Sequence, residues 1–163
     1  ILTGLKDIPR VIDPIFRSSS GAWLLDKEAV SGFLGEIRRR ATVLTPNLFE
    51  AGLMIGSKVR NIPDMKEAAK KIYDSARIPC LIKGGHLEDE AVNLLYDGKK
   101  VYLFGKRKTK KNVHGTGCFF SASLLCYLAK GKSLAKASEL ATEFTHTAIR
   151  EAIRIGRGRA VFS

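Results

Sequence analysis

Acidic residues are the scarce component of this 163-residue sequence: 16 Asp and Glu stand against 28 Lys and Arg, a net charge of +12. Such an excess suits an anionic partner, whether nucleic acid, a membrane surface or a phosphorylated small molecule, and does not by itself choose among them. Cysteine is also sparse. Cys80, Cys118 and Cys126 form no C-x-x-C pair, which argues against a disulfide framework or a zinc site and for a reducing, cytoplasmic setting. No apolar run approaches the ~18 residues of a membrane span. No linker rich in Pro or Ser, low-complexity tract or internal repeat divides the chain. The patterns G-x-x-x-x-G-K-[ST] and G-x-G-x-x-G are both missing, so neither a Walker-type nor a dinucleotide site is expected. What remains is ordinary globular composition, 45% hydrophobic and 27% charged, at the length of a single domain.

The periodicity alternates strands and helices. Arg10 to Pro14 reads as a short buried strand. Asp26 is placed to cap a helix over about 27–40, with Val30, Phe33, Leu34 and Ile37 on one face. A strand at Ala41–Leu44 follows, then a short helix over about 48–56. Asp64 with Glu67 opens a helix to about Ala76, striped by Met65, Ala68, Ala69, Ile72 and Tyr73. Pro79 to Ile82 is a third strand. Asp97-Gly98 between Val92–Tyr96 and Lys99–Phe104 signals a hairpin. It is expected to leave a face bare and to seek cover in a dimer. Two helices close the pattern: one over about 117–130, apolar nearly all round and expected to be buried, and one beginning after Ser133. This order predicts an α/β fold with a mostly parallel sheet, crossover helices and an added antiparallel hairpin. Ligands bind such folds beyond the carboxyl ends of the strands.

The residues at those ends are the chemical candidates. His114-Gly115-Thr116-Gly117-Cys118 opens the buried helix; its glycines admit a ligand to the backbone, and free amides at a helix start suit a phosphate. Cys118 falls in the first turn, a setting that favours a thiolate. The plain alternative is a glycine turn followed by a packed cysteine. Asn47 and Glu50, in Thr45-Pro46-Asn47-Leu48-Phe49-Glu50, have the spacing of a capping box; the functional alternative is a magnesium or water-mediated phosphate site. Asp13, before Pro14, either meets a metal or proton or starts a turn. Lys83-Gly84-Gly85-His86 offers a point charge beside backbone that a ligand can approach. His86 and His146 read as structural. The run 106–111 holds five basic residues in six and is either a solvated loop or a steering element for a nucleotide. It carries no interleaved aromatics, so nucleic-acid binding is not expected.

Taken in order, Val11-Ile12-Asp13-Pro14, Ser20-Gly21 with Leu24-Leu25, Thr45 to Glu50, Lys83-Gly84-Gly85-His86, Asp97-Gly98 and His114 to Cys118 resemble the hydroxymethylpyrimidine/phosphomethylpyrimidine kinases of thiamine biosynthesis. These are ribokinase-like kinases, and the likeness extends to Ala129-Lys130-Gly131 and Ile155-Gly156-Arg157-Gly158. The resemblance implies one three-layer α/β/α domain over 1–163 that lacks the family's N-terminal part. It also implies ATP and Mg²⁺, a pyrimidine substrate phosphorylated twice, a homodimer, and neither a nucleic-acid nor a membrane partner. Gly115, Thr116, Gly117 and Cys118 are then catalytic. Lys83, Gly85, His114, Thr116 and Gly117 meet ATP. Asp13, Ile15 and Cys118 face the substrate, and Asp13, Asn47 and Glu50 attend the metal. Departures from the pattern are Phe16-Arg17, where smaller or apolar residues are usual, and Gly158-Arg159-Ala160-Val161, where a Gly-His-Gly-Pro run is common. A pyridoxal kinase of the same superfamily, and a catalytically idle binding protein, are the competing readings.

Overall fold

Strand and helix do alternate through the first half of the chain. The computed structural model describes residues 8–18, 21–85, 90–107, 111, 113–154 and 160–162, with the backbone alone at 27, 90, 106 and 107. β1 (Val11–Ile12), α1 (Lys27–Glu36), β2 (Val43–Leu44), α2 (Leu48–Ile55), α3 (Ile62–Ala76) and β3 (Cys80–Gly84) come first. The hairpin β4 (Glu90–Tyr96) and β5 (Val101–Arg107) follows, and then α4 (Thr116–Ala129) and α5 (Leu134–Glu151). The described strands form one sheet in the order β1-β2-β3-β4-β5. β1, β2 and β3 pair in parallel, whereas β3–β4 and β4–β5 are antiparallel. The sheet is thus mixed rather than mostly parallel, because the hairpin contributes two of its five strands.

Alternation along the strands builds two cores. Leu44, Cys80, Ile82, Val92 and Leu94 face α1–α3 and pack with Met65, Ala68, Ala69 and Ile72. Val43, Leu81 and Leu95 face the other way and meet Phe120, Leu124, Ala137 and Ala141 of α4 and α5. That is the three-layer α/β/α arrangement. Within the hairpin β4 is covered on both faces, whereas β5, which with β1 forms the edges of the described sheet, leaves Leu103 47% exposed.

Several local expectations need correction. α1 ends at Glu36 rather than near 40, since Ile37 caps it and Arg39 takes φ 57°. Asp26 occupies the N-cap position of α1 but makes no side-chain capping bond. Asn61, not Asp64, caps α3 by accepting from the Asp64 amide, and Glu67 pairs with Lys71 instead of joining a capping box. α4 is not buried all round. Phe120, Ser121, Ser123 and Leu124 are buried, while Leu125 is 38% exposed and Cys126 also lies outside. Among the described residues α5 and the sheet cover most of its inner side, with Phe162 stacked on Phe119, and part of its outer face stays exposed despite its apolar composition. Among the described residues no helix is long and apolar enough to cross a membrane.

Candidate active site

The ends of the three parallel strands converge. Lys83 N donates to Pro46 O at 2.8 Å and Thr45 N to Ile12 O at 2.9 Å, so Asp13, Thr45-Pro46-Asn47 and Lys83 lie side by side at one end of the sheet. Lys83 Nζ donates to Asp13 Oδ1 at 2.5 Å, and both side chains are mostly buried. A charge-assisted bond of this length in a partly desolvated place fixes both groups. The second Asp13 oxygen accepts from Ser121 Oγ at 3.1 Å. Ser121 Oγ in turn lies 2.9 Å from Thr45 Oγ1, which is fully buried. The carboxylate that follows β1 is therefore tied to Lys83 of β3, to Ser121 of α4 and, through Ser121, to Thr45 just past β2.

The same lysine lies against the start of α4. A Cβ added at Gly117 would come within 3.3 Å of Lys83 Nζ, so the glycine leaves the ammonium room beside the first helical turn. Gly115, the N-cap, takes φ 80° and makes no side-chain cap bond, and the first turn has no acidic residue. Its amides are left for an anion, as at other helix starts. Thr116 and Gly117 are half-buried, whereas His114, Gly115 and Cys118 are exposed. Gly85 is exposed and open, as a ligand approach requires. Gly84 is glycine for another reason: a Cβ there would sit 2.1 Å from Val92 O of the neighbouring strand.

Asn47 and Glu50 do form the capping box. Glu50 N donates to Asn47 Oδ1 at 2.9 Å, and Asn47 N donates to Glu50 Oε2 at 2.7 Å. Glu50 is nonetheless more than a cap. It is only 4% exposed, and burial pushes its carboxyl up from the usual 4.5 to about 7; the bond from the Asn47 amide and the Lys83 charge pull it down, while the Asp13 charge pushes it further up. Glu50, Asp13 and Lys83 therefore share one electrostatic environment. Among the described residues no three His, Cys, Asp or Glu side chains gather to hold a metal. The carboxylates of Asp13 and Glu50 are the acidic side chains at this end of the sheet that could contact a hydrated cation.

The structure thus brings together Asp13, Asn47, Glu50, Lys83, Thr116 and Gly117. Ile15 lies 44% exposed on the loop after β1, where its amide donates to Asp13 O at 3.0 Å. His86 and residues 108–110 of the basic run fall outside the described residues. His146 is half-buried within α5. Cys80 is buried and its thiol pushed up by desolvation, but Cys126, expected to be buried with α4, is exposed. Sequence reasoning missed Ser121 and the hydroxyl role of Thr45. It also missed Asn93, whose Oδ1 accepts from Gly84 N at 3.3 Å and whose Nδ2 donates to Thr142 Oγ1 at 3.1 Å. Ser121 lies one helical turn beyond Gly117, but Ser123 shares the helix, so residue type alone does not single it out.

Comparison with known proteins agrees with this geometry. The family model described as phosphomethylpyrimidine kinase matches residues 2–162. A hydroxymethylpyrimidine/phosphomethylpyrimidine kinase of Aquifex aeolicus is 39% identical over 150 residues, 91% of this chain and 59% of that protein. A thiamine biosynthesis bifunctional protein of Geobacter sulfurreducens is 37% identical over 91% of this chain and 31% of its own length. The pyridoxal kinase of Staphylococcus aureus, solved in complex with AMP-PCP, superposes with a TM-score of 0.83 at 34% identity, covering 93% of this chain and 56% of that one. The chain spans less than two thirds of the length of each of these relatives. With a family match that runs over nearly every residue, and with the strand-end cluster facing the glycine turn of α4, the chain belongs to the phosphomethylpyrimidine kinase family.

Proposed function

We propose that the protein transfers the γ-phosphoryl group of ATP to 4-amino-5-hydroxymethyl-2-methylpyrimidine and then to its monophosphate, in thiamine biosynthesis. The observation that carries this reading is Lys83, held by Asp13 at 2.5 Å and lying against the amide end of α4 at Gly117. Phosphoryl transfer is catalysed chiefly by positioning and by charge stabilisation. The amides of Thr116 and Gly117 receive the equatorial oxygens of the transferring group, and Lys83 offsets their charge. Gly85 and His114 flank the nucleotide. Asp13, Ile15 and the exposed thiol of Cys118 face the pyrimidine, with Cys118 Sγ taking the hydroxymethyl proton. Asp13, Asn47 and Glu50 would hold Mg²⁺, which would supply charge neutralisation of the phosphates.

Pyridoxal phosphorylation is the second reading, favoured by the superposition on the S. aureus pyridoxal kinase. Both substrates are flat heteroaromatics bearing a hydroxymethyl group. Steady-state turnover of the full-length protein with each substrate separates them: the pyrimidine should give the higher kcat/KM, and a preference for pyridoxal reverses the assignment. Nucleotide binding without turnover of either substrate would mark an idle binder. We also propose a homodimer that covers the β5 edge and Leu103; light scattering should give twice the chain mass, and a monomer counts against it.

A further inference from the structure

The basic run before the glycine turn suggests steering of a nucleotide, but its last member is committed elsewhere. Lys111 Nζ donates to Ala152 O at 2.9 Å and also to Arg150 O. These carbonyls lie in the last turn and C-cap of α5, where backbone acceptors lack helical partners and a cation is favoured by the helix dipole. The ammonium is exposed, yet two of its three donors are directed into the protein.

A second set of contacts converges on the same segment. Val113 bridges Ala160, and His114 N donates to Ala160 O at 3.1 Å. Ile153, just past the C-cap of α5, pairs with Val161 through reciprocal bonds of 3.0 and 2.9 Å. Phe162 stacks on Phe119 of α4 with ring centroids 4.3 Å apart. Lys111, the end of α5, the strand-like segment 160–162 and the chain at 113–114 therefore close a ring of contacts. That ring lies immediately before Gly115-Thr116-Gly117.

We propose that Lys111 is a positioning residue, tying the approach to Gly115-Thr116-Gly117 to the end of α5 so that the amides of that turn are held ready for an anionic ligand. The inference rests on the kinase reading for the identity of the ligand. Lys111 acts through the carbonyls of α5, and Ala160–Phe162 acts on the other side of the same segment. Steering by net charge and positioning by capping predict different salt responses, because the long-range field is screened far more strongly than direct hydrogen bonds from Lys111 Nζ to the α5 carbonyls.

The test uses the full-length protein with AMP-PCP as probe, titrated calorimetrically at about 50 and about 300 mM KCl, between which the screening length changes about twofold. Lys111→Ala should weaken binding by about fivefold or more, the low end of ordinary coupling energies, and by the same factor at both salts. Lys111→Arg, which still donates to carbonyls, should restore most of the affinity. Removing 160–163 should give a comparable loss, and combining it with Lys111→Ala should add little further. Far-UV circular dichroism of each variant checks that the fold is kept. A loss that vanishes at the higher salt, an unchanged affinity, or losses that multiply in the double variant would each overturn the proposal. A wild-type protein that binds no AMP-PCP overturns the kinase reading instead.

Discussion

The two faces of the sheet are built from different materials. The α1–α3 face is filled with carbon: Met65, Ala68, Ala69, Ile72 and Ile82 are fully buried, and the buried charge at its border is Glu50. The α4–α5 face has a smaller apolar core and buries Ser121, Ser123, Ser138, Thr142 and Thr145 among it. Three of these hydroxyls bond back to carbonyls one turn earlier, a local solution, and of these Thr142 also accepts from Asn93 Nδ2. Ser121 instead reaches Asp13 and Thr45. The lesson is a division of labour: one face supplies cohesion, and the other brings a helix start and a hydroxyl to the strand ends.

Substitutions should break this division in a graded way. The largest effect is expected at Cys118. Cys118→Ala should lower kcat by ~10²–10⁴-fold, the usual worth of general-base help, while AMP-PCP binding and melting temperature stay near wild type. Cys118→Asp should keep part of the activity. Iodoacetamide should modify both exposed cysteines, Cys118 and Cys126, faster than buried Cys80, and substrate should protect Cys118 alone. Wild-type turnover in Cys118→Ala would make the thiol a contact residue and send the proton to water or phosphate.

On the cohesive face the opposite pattern is expected. Ile72 is fully buried, so Ile72→Ala should cost about 2–5 kcal/mol in urea unfolding, with kcat per folded molecule unchanged. A fall in kcat as large as that of Cys118→Ala would show that the two faces are not separable.

Glu50 stands on the border and should report both functions. Its carboxyl is raised from 4.5 to about 7, chiefly by burial, so the folded protein keeps a proton that the unfolded chain releases between those values. Stability should therefore fall as pH rises from about 4.5 to 7 and level off above. Glu50→Gln retains an acceptor for the Asn47 amide and removes this slope, so its melting temperature should match wild type near pH 4.5 and exceed it at pH 8. If Glu50 attends Mg²⁺, turnover should drop in the same variant; preserved turnover would leave it a capping residue.

The smallest effect is expected at Gly117. An alanine there brings its Cβ within 3.3 Å of Lys83 Nζ, a flexible tip that can yield. Gly117→Ala should raise the KM for ATP severalfold with little change in stability. An unchanged KM would separate Lys83 from the nucleotide.

Much of this architecture is legible in the sequence. The stripe Met65, Ala68, Ala69 and Ile72 is the buried face of α3, because helical spacing and residue size both point inward. The Asn47–Glu50 box is present as spacing predicts. Asp13 and the glycine turn are marked by their place after a strand or before a helix; Lys83, expected just past a strand, lies inside β3 one residue from its end, and the three do meet. What is not legible depends on neighbours that the sequence does not reveal. α4 is apolar on a side that stays partly exposed, so composition overstates its burial. Lys111 sits in a charge run, and only the nearby carbonyls of α5 show where its charge is directed. Asn93 and Ser121 carry no strong local pattern; their partners lie in Gly84, Thr142, Asp13 and Thr45, distant in sequence.

β4 imposes a different kind of constraint, one on length. Leu94 belongs to one core and Leu95 to the other, while the preceding Asn93 holds the Gly84 amide. Deleting or inserting one residue within this strand would exchange the two leucines between layers and turn Asn93 away from Gly84. Length variation among homologues should therefore collect outside β4, and a sequence alignment that opens a gap between Val92 and Tyr96 is misregistered there, whatever its score elsewhere.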